Sequence, residues 1–170
     1  RPDRGTGGGY DYRDCSINSY VPAAEELTRR GHFALRMGAI VKEALHTNNP
    51  MILDYATKHR TDFLDIYLAA KCRFYLGDTC GYGAAPLQFR RPLAIVNSIP
   101  LELMITWGPD YLLIPKKFWI RREHRFMTFR EILDSGVGRF LTTAEYEEFG
   151  IEVVDNTPEE ITAAAVEMDE

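Results

Sequence analysis

Residues 61–83 read TDFLDIYLAAKCRFYLGDTCGYG, and the fold class turns on this stretch. Thr61 carries a hydroxyl that can cap a helix, and Asp62 stands in the first turn, where a negative charge meets the positive end of the helix dipole. The apolar run that follows carries the helix to about Lys71. Cys72 to Leu76 (CRFYL) then reads as a short strand, closed by the glycine-rich segment Gly77–Gly83, GDTCGYG. A helix feeding a strand that ends in glycines is one step of an alternating α/β chain.

The same alternation continues outward. On the N-terminal side, Ser16 can cap a helix whose Ile17, Tyr20, Val21, Ala24 and Leu27 recur at helical spacing. Arg29, Arg30 and Gly31 suit its C-terminus. His32–Met37 (HFALRM) is a strand stopped by Gly38, and Met51–Leu53 is another, ending at Asp54 and Tyr55. On the C-terminal side, Leu93–Val96 is a buried strand ending at Asn97, and Tyr111–Ile114 is a further strand. Thr128-Phe129-Arg130-Glu131 forms a capping box whose helix Gly136 stops. A helix over Thr143–Phe149, a strand over Ile151–Val154 and a helix opened by Thr157-Pro158-Glu159-Glu160 complete the pattern. The expectation is one Rossmann-like α/β domain over residues 11–170, a doubly wound parallel sheet with helices on both faces, preceded by a flexible glycine-rich start over residues 1–10. The terminal helix has no stop signal before Glu170, and the opening RPDRGTGGG lacks a strand or cap, so a fragment of a longer chain is expected.

The chain has 170 residues, 45% of them apolar, which suits one packed core. A formal net charge of −5 argues against a nucleic-acid partner. Cys15, Cys72 and Cys80 show no CxxC and no Cys/His spacing for zinc, so reduced thiols in a cytoplasmic protein are expected. Four scattered histidines supply no triad order, and no catalytic residue is assigned.

Ligands of open parallel sheets sit outside the carboxyl ends of the strands. Those positions are Arg36 and Gly38, Asp54 and Tyr55, Asp78 to Gly81 with Thr79 and Cys80 between, Asn97, and Asp155 with Asn156. Glycines admit a ligand close to the backbone, Thr79 offers a hydroxyl, and Arg36 can grip a phosphate with two parallel bonds. Asp54 can accept from a base or ribose while Tyr55 stacks on it. Each has a plainer counterpart: a glycine turn, a salt bridge for Arg36, a local cap for Asp54 and a core ring for Tyr55. Asp62 and Asp65 share a helix face as solvated acids and form no DxD motif. Asp11, Arg13 and Asp14 (DYRD) suit a cap and a surface ion pair, or contact with a sugar diphosphate. The basic, aromatic segment Lys116-Lys117-Phe118-Trp119-Ile120-Arg121-Arg122 fits a solvated loop, or an anionic membrane surface met by Lys116, Lys117, Trp119, Arg121 and Arg122.

The ordered set DYRD (11–14), RMG (36–38), DYA (54–56), DFLDIYLAAKCRFYLG (62–77), FRRP (89–92), Asn97-x-x-Pro100 and TFREIL (128–133) resembles the C-terminal part of a family of bacterial glycosyltransferases of capsule and lipopolysaccharide biosynthesis. A more distant similarity is to the donor domain of fucosyltransferase-like enzymes, with Asp62, Gly77 and Thr79 matching in order and Asp78–Gly81 standing where those enzymes favour a serine pair. The resemblance implies the donor-binding domain of a two-domain, GT-B type enzyme. It implies a nucleotide sugar as donor substrate, a glycan or lipid-linked glycan as acceptor, and chemistry that needs no metal and no cofactor. The N-terminal half of the same enzyme would be its partner. The alternative is a non-catalytic glycosyltransferase-like module that binds a partner or a membrane surface.

Overall fold

The computed structural model describes residues 11–104 and 106–170. A short helical turn over Ile17–Tyr20, capped by the Ser16 hydroxyl, runs into α1 (Val21–Arg29). β1 (Ala34–Leu35) and β2 (Ile52–Leu53) pair in parallel, and α2 (Tyr55–Lys58) and α3 (Asp62–Lys71) follow. β3 (Tyr75–Gly77), α4 (Ala84–Gln88), β4 (Leu93–Ser98) and β5 (Tyr111–Pro115) come next, with the three strands in parallel order β3-β4-β5. The chain then makes β6 (Lys117–Ile120), β7 (Arg125–Phe126), α5 (Phe129–Ser135), α6 (Thr143–Glu148), β8 (Ile151–Val154) and α7 (Pro158–Asp169).

Every residue of β4 is buried, as a central parallel strand covered on both faces requires. One face carries a core of Ala23, Leu27, Val96, Ile161, Ala164 and Ala165. The alanines let α1 and α7 lie close together over β4. The second core, with Ile99, Phe118, Tyr146 and Ile151 at its centre, underlies the β6–β8 region. The helix starts follow the sequence signals: Thr61 caps α3, and Thr128, Thr142 and Thr157 each complete a capping box with Glu131, Glu145 and Glu160. Gly136 ends α5 at φ +76°, a backbone region that glycine enters without strain.

The protein is therefore mixed α/β with parallel sheets, and two features correct the expected single parallel sheet. The strands fall into three small sheets, and the third, ordered β7-β6-β8, is antiparallel throughout. The basic segment is not a loop but β6, with a turn at Arg121–His124 leading back along β7. The basic pairs Lys116-Lys117 and Arg121-Arg122 at its two ends hide its strand pattern, and Lys117 and Trp119 are only half-buried while Phe118 faces the core. The strands over residues 32–37 and 51–53 shrink to two residues each. Among the described residues no helix is long and apolar enough to cross a membrane.

Candidate functional site

The carboxyl ends of β1 and β3 open onto a groove of about 1510 Å³. Its walls include Arg36, Gly38, Asp78, Cys80, Gly81 and Asp155, six of the eleven residues that strand-end reasoning selects. Thr79 sits beside them, lining an adjoining cavity of about 140 Å³ with Asp78, Cys80, Ser98 and the apolar Leu87, Leu103 and Met104.

The Asp78–Gly81 loop is held from outside its own strand. The Arg13 guanidinium donates to the Thr79 carbonyl at 2.5 Å. The Thr79 hydroxyl lies 3.3 Å from that of Ser98, itself buried at the end of β4. The Cys15 thiol donates to the Asp78 carboxylate at 3.5 Å and lies 3.6 Å from the Tyr20 hydroxyl. Burial pushes the Cys15 thiol up to about 12, partly offset by Tyr20 and reinforced by the Asp78 charge. A thiol so shifted is protonated at neutral pH and is no nucleophile there. Burial also raises the Tyr20 and Tyr75 phenols, which keeps both protonated at neutral pH.

Several sequence-based assignments change. Tyr55 is a core ring rather than a stacking platform: it is buried, and its hydroxyl donates to the Asp65 carboxylate (2.9 Å) or the Thr61 carbonyl (3.0 Å) while accepting from Thr61 N–H. Asn97 is buried too. Its amide oxygen accepts from Asn156 N–H at 2.6 Å, its own N–H donates to the Asn156 oxygen at 2.5 Å, and its Nδ2 donates to Tyr20 at 3.4 Å. With φ at +52°, Asn97 locks the end of β4 to the start of α7 and leaves little for a ligand. Lys116, read as part of an exposed basic patch, is 3% exposed. Its ammonium meets the Asp155 carboxylate at 2.7 Å and the Asp14 carbonyl at 2.8 Å, which ties the β5–β6 junction, the β8–α7 connection and the DYRD segment together. A cation buried this way cannot lie on a membrane surface.

Arg36 takes the salt-bridge alternative with Asp54 as its partner, and the Asp54 side chain makes no capping hydrogen bond to α2. Arg36 is buried, donates to the Glu43 carbonyl at 2.6 Å, and has Nη1 3.5 Å from Asp54 Oδ2. That contact lacks hydrogen-bond geometry, and Arg36 Nη1 and Asp54 Oδ1 are both buried without a hydrogen-bond partner. Gly38 has φ +149°, and a Cβ there would come within 3.2 Å of Val41 Cγ1, so backbone shape alone explains the glycine. Asp65 is not the solvated acid expected: it pairs with Arg60 at 2.8 Å and accepts from Tyr55. Asp62, 97% exposed at its side chain, is solvated.

Strand-end reasoning passed over two cations that shape the site, Arg13 and Lys116. DYRD was the signal for Arg13. Nothing in the alternation of Lys116 with its neighbours marks it as buried. Among the described residues, no group of three His, Cys, Asp or Glu could hold a metal ion. Comparison with protein-family models, characterised proteins and solved structures finds no match.

Proposed function

We propose that this chain is the donor-binding domain of a glycosyltransferase of the two-domain, Rossmann-like type, and that it takes a nucleotide-diphosphate sugar at the carboxyl ends of β1 and β3. The observation that carries the reading is the meeting of the Arg36–Gly38 and Asp78–Gly81 loops on one groove, at the edge where parallel α/β sheets bind their ligands. The motif resemblance supplies the reaction class, since fold alone does not assign chemistry.

Two basic groups flank that edge. Arg13 holds the Thr79 carbonyl, and Arg36 Nη1, though ion-paired with Asp54, has no hydrogen-bond partner. The diphosphate would accept from the Thr79 hydroxyl and from N–H groups of the Asp78–Gly81 backbone, with Arg13 offsetting the charge that develops on the leaving group. The acceptor and the general base would belong to the partner domain, so this chain's role is to bind and orient the donor.

A thermal-shift panel of GDP, UDP, CDP and ADP tests the reading. A shift with one diphosphate, removed by Thr79→Ala, is the expected result. A folded protein that shifts with none of them, or whose shift survives Thr79→Ala unchanged, refutes the site.

A further inference from the structure

We infer that the outward face of α3 is a docking ridge for an anionic lipid surface, with its aromatic side chains laid into the bilayer interface.

α3 has two apolar faces. Leu68 and Ala69 turn toward the groove. The opposite stripe is Phe63, Ile66, Tyr67 and Ala70, at the i, i+3, i+4, i+7 spacing that ordinarily marks a helix face packed on a core. Here it stands in solvent: Phe63 is 73% exposed, Ile66 52% and Tyr67 47%. The Phe63 and Tyr67 rings stack with centroids 5.8 Å apart, which makes them one apolar ridge. Phe89, just past α4, is exposed as well. Its neighbour Arg91 donates to the Ala70 carbonyl at 2.8 Å, so this corner adjoins the end of the ridge. Single exposed apolar side chains are ordinary, whereas a contiguous stripe of them marks a docking surface.

Charge identifies what docks there. Lys58 ends α2 ahead of the ridge, and Lys71, Arg90 and Arg91 gather at its far end. Among the described residues none of these four forms an ion pair. The acids of α3, Asp62 and Asp65, both meet Arg60 instead. The chain as a whole carries −5 and has no general attraction for an anionic surface, so a basic face on it acts locally. Basic side chains around protruding aromatic ones suit an element that lies in a bilayer interface. The charges meet anionic headgroups while the rings sink to the acyl boundary. Shape separates a bilayer from an acidic protein: a folded partner needs a groove cut to receive a convex ridge, and a fluid interface receives it unaided. Docking through this stripe leaves the groove-facing side chains of α3 untouched.

Sedimentation of the whole protein with phosphatidylcholine vesicles carrying about 30% phosphatidylserine tests this. Binding that weakens with salt, and that vesicles of phosphatidylcholine alone do not show, is expected. Phe63→Ala combined with Tyr67→Ala should weaken it about tenfold or more, and Lys71→Gln about fivefold. Arg122→Gln with Arg130→Gln, exposed and unpaired charges of the β6–β7 turn and α5, should change it by less than about twofold. Absence of binding at low salt overturns the proposal, as does binding that survives the α3 substitutions. Equally tight binding to soluble polyglutamate, indifferent to Phe63 and Tyr67, assigns the face to an acidic protein and overturns it too. Should the paired alanines unfold the chain, Phe63→Trp keeps an aromatic ring at the ridge. Its added fluorescence should shift to the blue on anionic vesicles and be quenched by brominated acyl chains, and an unaltered spectrum refutes the insertion. Nucleotide enters none of these readouts, so lipid docking and donor binding can fail separately.

Discussion

Replacing Asn97 by alanine should destabilise the fold far more than its place at a strand end suggests. The substitution removes the acceptor of the Asn156 N–H, which is buried and has no water to turn to. Leaving a buried donor unpaired costs about 1–3 kcal/mol. It also places a Cβ-bearing residue, without the amide that eases a left-handed backbone, at φ +52°, a further loss of about 1 kcal/mol. The expected total is about 3 kcal/mol, a large share of the roughly 5–15 kcal/mol that holds a domain of this size together. Asn97→Gly separates the two terms: it keeps the hydrogen-bond loss, relieves the backbone, and should cost about 1 kcal/mol less than alanine. Urea denaturation of both variants, and of Asn156→Ala in a double-mutant cycle, reads these quantities. Because the two side chains serve one interlock, a coupling of at least about 1 kcal/mol is expected. An alanine variant within about 0.5 kcal/mol of the parent, with additive double-mutant losses, would refute the interlock.

Arg36→Ala should lower the melting temperature by several degrees whether or not nucleotide is present, because it strands the buried Asp54 carboxylate; an unchanged melting temperature would mean that the pair does not stabilise the fold. Lys116→Met should leave any binding to anionic vesicles unaltered, since its ammonium is buried against Asp155; sedimentation that weakens on this substitution would contradict the placement. Thr157→Ala should cost about 1 kcal/mol in urea denaturation by removing the cap of α7, the helix that carries Ile161 and Ala164 into the core. The Glu131 carboxyl is depressed from the usual 4.5 to about 2, first by Arg125 and then by Thr128. A depressed acid stabilises the fold above its unfolded value and loses that contribution as pH falls from about 4.5 toward 2; Arg125→Ala should therefore differ from the parent at pH 6 and converge on it near pH 2, and a constant gap in acid titration would speak against the pairing.

Much of the helical framework was legible in the sequence because its signals are local. A threonine followed three residues later by a glutamate satisfies two helix-end groups whatever surrounds it, and α5 and α7 begin where such boxes stand at Thr128 and Thr157. β4 was legible because an unbroken apolar run between a proline and an asparagine has few other uses. Residues 36–38 and 78–81 could be named because strand ends can be read once strands are. What each polar side chain does there was not legible. Asn97 and Tyr55 looked like ligand contacts because an amide or a phenol at a strand end can serve a ligand or the fold, and the choice depends on residues 59 and 10 positions away, Asn156 and Asp65. Lys116 has a lysine on one side and a proline on the other, yet only the arrival of Asp155 and Asp14 from distant parts of the chain buries it. The antiparallel sheet was hidden for the same reason. β6 pairs with a strand from Ile151–Val154, and nothing within β6 itself specifies the direction of that partner. The sequence by itself determined where helices start and which strands are apolar, since those depend on neighbours along the chain. The tertiary structure alone decided which strands pair, which way they run and which charges are buried, since those depend on neighbours in space.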